Sequence, residues 1–219
     1  MSKIIIPKPS ASELALVSLI AGEHLLIEDI PGTGKTYLAN NLSKLSKLKS
    51  NRIQCTNDLM PADVIGYNKS TSSNSIEFIK GPIFTNILLV DEMNRAPSRT
   101  QSALLEAMEE SQISIEGKTF KLPEPFFVIA TQNPRDQVGV FDLPESQIDR
   151  FSLCINMDIL NSEDYLKILN EEHMHTEIIN SSYTAISKSV KKVHFDHKLQ
   201  VFLLKILDEI EKVSGKYLA

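Results

Sequence analysis

The sequence predicts an α/β chain: a three-layer α/β/α domain over residues 1–157, followed by a smaller helical piece over 158–219. Two observations carry this reading. Short β-type runs with continuous apolar centres, HLLIE at 24–28, NILLVDE at 86–92, FFVIATQ at 126–132 and SLCINM at 152–157, alternate with loops or stretches of helical periodicity. Strands apolar at every position are buried on both faces, as in a mostly parallel sheet covered by helices on each side. In addition, the first run leads through a glycine-bearing turn into KTYLANNLSKLSKL at 35–48, whose apolar residues recur at helical spacing.

In chain order, Ser10 and Glu13 form a capping-box pattern before Leu14, Val17 and Ile20, which predicts a first helix over about 11–22. A further β-type run lies at 51–54. Pro97 opens a helix through about 110, with Leu104, Leu105 and Met108 on one face. QISIEGKTFKL at 112–122 then alternates around Glu116-Gly117 and predicts a hairpin inserted before the next strand. After Asn161 the chain reads as mainly helical, most clearly at 162–172 and 199–213.

The 219 residues carry a net charge of −5 and 42% hydrophobic residues, as expected of an ordinary globule. That charge disfavours a dominant nucleic-acid surface, which needs clustered Lys and Arg. Lys118 and Lys121 in the hairpin and the run KSVKKVHFDHK at 188–198 are the only features that point toward a nucleic-acid motor, and a solvated helix face explains the latter more simply. Cys55 and Cys154 fit neither a zinc spacing nor a disulfide framework, and are expected to be reduced and buried. With no run of ~20 apolar residues and no signal-peptide core, a cytoplasmic protein without a membrane span is expected.

Four clusters carry possible chemistry. In EDIPGTGKT, 28–36, the helix start can present backbone N–H groups and a dipole to a phosphate. Pro31, Gly32, Thr33 and Gly34 form the loop; Lys35 would reach the β- and γ-phosphates of a nucleotide and Thr36 would hold Mg²⁺. The general pattern begins with glycine where this chain has Asp29, a residue that tolerates the left-handed conformation. In ILLVDE, Asp91 would take part in holding the metal and Glu92 would polarise an attacking water. Asn133, after another apolar strand, could orient that water without adding charge. Arg150, before the last strand, could project a guanidinium into a neighbouring subunit, where it would meet charge developing on a transferring phosphoryl group. Each has an ordinary alternative: a plain turn before a helix, a strand ending in acids, an Asn-Pro turn, and a salt bridge from Arg150 to Asp149 or Glu145.

Together with the runs DLMPADVIGY, DEMNRAPSRTQSALLEAMEE, PFFVIATQNP and LPESQIDRF, these clusters resemble the MoxR family of AAA+ ATPases, densely over 24–158 and loosely beyond. The resemblance implies a P-loop AAA+ nucleotide-binding domain with a partial C-terminal helical lid. It implies ATP and Mg²⁺ as cofactors, and a ring, usually hexameric, with nucleotide between subunits. By position, Lys35 and Thr36 match Walker A, Asp91 and Glu92 Walker B, Asn133 sensor 1, and Arg150 an arginine finger acting in trans. Asn94 and Arg95 match the family's DE-x-NR run. Relatives act as chaperones that remodel or activate protein partners, often ones with a von Willebrand factor A domain. The family's lid also supplies a second sensor arginine near an SPR run, whereas no arginine follows Arg150 here and SGKYLA ends the chain. The leading expectation is an ATPase that remodels a partner; with the lid cut short, binding is expected to outlast turnover, and a nucleotide-binding assembly module without turnover is the alternative reading.

Overall fold

Helix α1 (Ala11–Ala21) starts where its capping box is made: the Glu13 N–H donates to Ser10 Oγ at 3.3 Å and the Ser10 N–H to the Glu13 carboxylate at 2.7 Å. The computed structural model describes residues 10–28, 34–70, 76–132, 143–157 and 183–214. The expected helix at 162–172, the loop residues Asp29, Pro31, Gly32 and Thr33, and Asn133 lie outside them. The chain divides into two compact units, Met1–Tyr183 and Thr184–Ala219.

In the first unit, β1 (Leu25–Glu28) leads to α2 (Lys35–Ser46), β2 (Ser50–Gln54), α3 (Pro61–Ile65) and a hairpin of β3 (Gly66–Ser70) and β4 (Ile76–Lys80). There follow β5 (Ile87–Asp91), a 3₁₀ turn at Met93–Arg95, α4 (Ser98–Glu110), the hairpin of β6 (Gln112–Ile115) and β7 (Lys118–Lys121), β8 (Phe127–Gln132), α5 (Glu145–Ile148) and β9 (Leu153–Ile155). Helix α6 (Tyr183–Val190) straddles the division, and α7 (His197–Ser214), anticipated over 199–213, belongs to the second unit.

Five strands form one sheet in the order β2-β5-β8-β1-β9, and every pairing in it is parallel. Alternate side chains go to opposite layers. Leu25, Ile27, Ile87, Leu89, Phe127 and Ile129 pack with α1 and α2, whereas Leu26, Leu88, Val90, Val128 and Ala130 pack with α4 and the base of the second hairpin. Both layers are apolar, so the central strands carry no polar alternation. All five strands point the same way, so the C-terminal ends of β2, β5, β8 and β1 share one edge.

His24 pins the layers at the opposite end. The Val128 N–H donates to its Nδ1 at 3.1 Å, so Nε2 carries the proton and donates to the Met108 carbonyl, also at 3.1 Å. Burial lowers the pKa of this imidazole, partly opposed by the bond to Met108 and the charge of Glu23.

The expected hairpin has positive φ at both turn residues, Glu116 at 48° and Gly117 at 78°, the pattern of a type I′ turn. The β3–β4 hairpin was not anticipated, because GYNKS offers little apolar alternation. Its position depends on long-range contacts: Phe78 stacks on Phe120 at 4.3 Å, and Asn68 Nδ2 donates to Glu116 Oε2 at 2.6 Å. Gly66 begins it at φ 101°, where a β-carbon would lie 2.2 Å from the Ile79 carbonyl oxygen. The cysteine expectation is half corrected. Cys55 is buried, but Cys154 is exposed, because β9 is an edge strand.

Because the folded-state pKa of His24 lies below its ordinary value of ~6.5, the unfolded chain binds more protons between the two values. Stability contributed by neutral His24 is therefore present above pH ~6.5 and is lost as pH falls below it. Melting temperatures from pH 7.5 to 5.5 should fall less steeply for His24→Gln than for the parent; equal slopes would show that His24 does not govern the change.

Candidate functional site

The shared strand edge collects polar groups that the interior of the sheet could not hold. Strand β5 is buried throughout and delivers Asp91, 7% exposed, as its last residue. Both carboxylate oxygens have partners from the flanking strands. Arg52 Nε of β2 donates to Oδ2 at 2.6 Å, and Thr131 Oγ1 of β8 donates to Oδ1 at 3.4 Å. The guanidinium also donates through Nη2 to Gln54 Oε1 at 3.1 Å.

Glu92 then leaves the strand in the left-handed conformation, φ 55° and ψ 48°. For a residue other than glycine this costs about 1 kcal/mol. The β5–β8 register ends at Val90↔Ala130, and beyond it the Glu92 N–H donates to Thr131 Oγ1 at 2.9 Å. The bend starts the 3₁₀ turn and brings Glu92 Oε2 within 2.8 Å of Arg95 Nη1. Buried Gln101 of α4 braces the turn by donating to the Ala96 carbonyl at 3.0 Å. Asn94 is buried within it.

Across β8, Glu28 ends β1 and accepts from Gln132 Nε2 at 3.2 Å. Gly34 precedes α2 at φ 90°, a conformation that suits glycine, and it caps the helix with no side chain. The first-turn N–H groups of a helix have no intrahelical acceptor and carry the positive end of its dipole. Lys35, buried, and Thr36, half-buried, open this twelve-residue helix. This donor set fits a nucleotide and its metal: a helix start without a side-chain cap and a lysine suit phosphate, while a hydroxyl and a carboxylate suit a hard cation such as Mg²⁺.

Cys55 reports the field at this edge. Its N–H donates to the Asp91 carbonyl at 2.9 Å, and burial, helped by the charges of Asp91 and Glu92, pushes its thiol up to about 12.

Of the residues singled out from sequence, Gly34, Lys35, Thr36, Asp91 and Glu92 lie at or lead from this edge. Arg150 follows α5 and is ion-paired to Glu109 of α4, not to Asp149 or Glu145. Arg52 and Thr131 were not anticipated. Thr131 had a signal, a polar residue inside an apolar strand, but Arg52 is linked to Asp91 only by strand register.

Residues 24–153 match the model of the ATPase family associated with various cellular activities (AAA). The Bacillus subtilis protein YeaC is 37% identical over 95% of this chain and 68% of its own length. The Mycobacterium tuberculosis chaperone MoxR1 is 41% identical over 77% of this chain and 45% of its own. The solved structure of an ATPase candidate from Cytophaga hutchinsonii superposes with a TM-score of 0.76 at 36% identity, covering 88% of this chain and 61% of that one. The chain thus spans under half of MoxR1 and about two thirds of YeaC.

Removing Arg52 leaves the nearly buried Asp91 carboxylate without its charged partner. Since the guanidinium is itself 53% exposed, Arg52→Ala should cost about 1 kcal/mol, the upper end for a solvent-screened pair. Urea unfolding without nucleotide measures this, and an unchanged midpoint would mean the pair contributes nothing.

Proposed function

The chain belongs to the MoxR family of AAA+ ATPases, and we propose that it binds Mg²⁺-ATP at the sheet's C-terminal edge, hydrolyses it within a ring, and uses the cycle to remodel a protein client. The observation that carries this reading is the convergence on one edge of the glycine-started helix bearing Lys35 and Thr36 with the β5 carboxylates Asp91 and Glu92. The nucleotide-binding domain is taken as 1–157 and the helical lid portion as 158–219.

Each residue has a separate task. Backbone N–H groups of Gly32, Thr33 and Gly34 and of the first turn of α2 hold the phosphates, Pro31 shapes the loop that presents them, and Lys35 adds a charge at the β- and γ-phosphates. Thr36 and Asp91 would hold Mg²⁺, which would supply positive charge to offset that of the phosphate oxygens. Glu92 takes a proton from the attacking water and Asn133 orients that water. Arg95 pairs with the Glu92 carboxylate, and its 46% exposure keeps the pair weak enough to exchange. Arg150 reaches across the subunit boundary, trading its exposed pair with Glu109 for the charge on the transferring phosphoryl group.

The ring is taken as a hexamer. The client is proposed to be a protein, with one bearing a von Willebrand factor A domain as the first to test. The MoxR1 relative, named a chaperone, supports a protein client.

Two sets of measurements test the reading. Lys35→Ala should weaken nucleotide binding at least ~100-fold, about 2.7 kcal/mol, while Glu92→Gln keeps affinity near the parent's and lowers kcat by ~100-fold or more. Parent-like turnover by Glu92→Gln would remove Glu92 from the role of base. For Arg150, mixing Arg150→Ala with Lys35→Ala chains should recover part of the activity each lacks alone, since one keeps an intact loop and the other an intact guanidinium. Absence of recovery in mixed rings would assign Arg150 a role within its own subunit.

A further inference from the structure

We propose that Thr131 is a positioning residue for both acidic side chains at the end of β5, a role that rests on the reading of Asp91 as cation ligand and Glu92 as base. The residue is 1% exposed, and it lies on β8 one step past the last position paired with β5, beside Asp91, while its backbone still pairs with Ile27 of β1. A hydroxyl has one proton and two lone pairs, so the directions of its bonds are determined. The Glu92 N–H can only donate, so Thr131 Oγ1 accepts at 2.9 Å, which leaves the hydroxyl proton for Asp91 Oδ1 at 3.4 Å.

A single oxygen thereby ties the carboxylate of one acid and the backbone of the other to the same point. Two consequences follow for the site. The Asp91 carboxylate is held at Oδ2 by Arg52 at 2.6 Å from β2, and Thr131 from β8 meets Oδ1 through a long bond of 3.4 Å that biases the orientation of its last torsion. The left-handed bend at Glu92, which aims its side chain away from the strand, is secured by a bond that the ladder cannot supply because the register has ended. Metal geometry and base direction thus depend on one hydroxyl that need not touch nucleotide.

Thr131→Val keeps the branched shape and deletes the hydroxyl; Thr131→Ser keeps the hydroxyl and deletes the methyl. Affinity for a fluorescent ADP analogue, measured in EDTA and then in Mg²⁺, separates phosphate binding from metal placement. The Val variant should stay within about threefold of the parent in EDTA, lose most of the Mg²⁺-dependent gain, and turn ATP over at least ~10-fold more slowly. Its Glu92 amide should exchange with deuterium faster than the parent's. The Ser variant should return both the gain and the turnover to within about threefold. If the Val variant does not fold, Thr131→Ala takes its place with the same expectations.

A Val or Ala variant with parent-like gain and turnover would overturn the inference. So would a Ser variant that falls as far as Val, since the methyl and not the hydroxyl would then be the agent. A parent chain with no Mg²⁺-dependent gain would overturn the Asp91 assignment together with it, whereas a parent that shows the gain beside an unchanged Val variant overturns the inference alone.

Discussion

Burial of a parallel sheet on both faces is the constraint from which the rest of this structure follows. Interior strand residues such as Leu88, Val90, Val128 and Ala130 have no solvent on either side. Polar chemistry is therefore excluded from the interior of the central strands β1, β5 and β8 and appears where they end or on the exposed edge strand β2. Parallel pairing then places those ends on one edge. The crossover from β1 through α2 goes to the far strand β2, while β9 pairs on the other side of β1, so the chain parts beside β1. That is where the start of α2 lies.

Charge at this edge is arranged as pairs that can be exchanged. Arg52 holds Asp91 and Arg95 holds Glu92, while at the opposite end of the sheet, near His24 and the start of β9, Arg150 holds Glu109. Each arginine is between 37% and 53% exposed, so solvent screens the attraction and no pair contributes much to folding. The weakness of these pairs suits the proposed cycle: a strongly buried pair would cost several kcal/mol to break, whereas these can give way to phosphate, metal or a neighbouring subunit at little expense. Hydrogen bonds to neutral groups, chiefly Thr131 and Gln101, provide the rigidity that the ion pairs do not.

Much of the architecture was legible from local pattern. The capping box of Ser10 and Glu13, the apolar runs that became β1, β5 and β8, and the Glu116-Gly117 turn all rest on interactions among residues close in sequence. The β3–β4 hairpin rests on partners far away, Phe120 and Glu116, and its strands lack the alternation that would have announced them. Cys154 looked like any residue of an apolar strand, and only the place of β9 at the margin of the sheet left it exposed.

The sequence by itself determined the fold class, the MoxR-type AAA+ relationship and the identity of the residues at the strand ends, because periodicity, caps and motif spacing are written in neighbouring residues. Tertiary structure alone decided which partners those residues meet. Arg52 and Thr131 lie 39 and 40 residues from Asp91 and reach it only through the register of β2 and β8 against β5. Arg150 meets Glu109, not the acids beside it in the chain. Register and packing are set by how both sheet faces fill at once, and no single stretch of sequence carries that information.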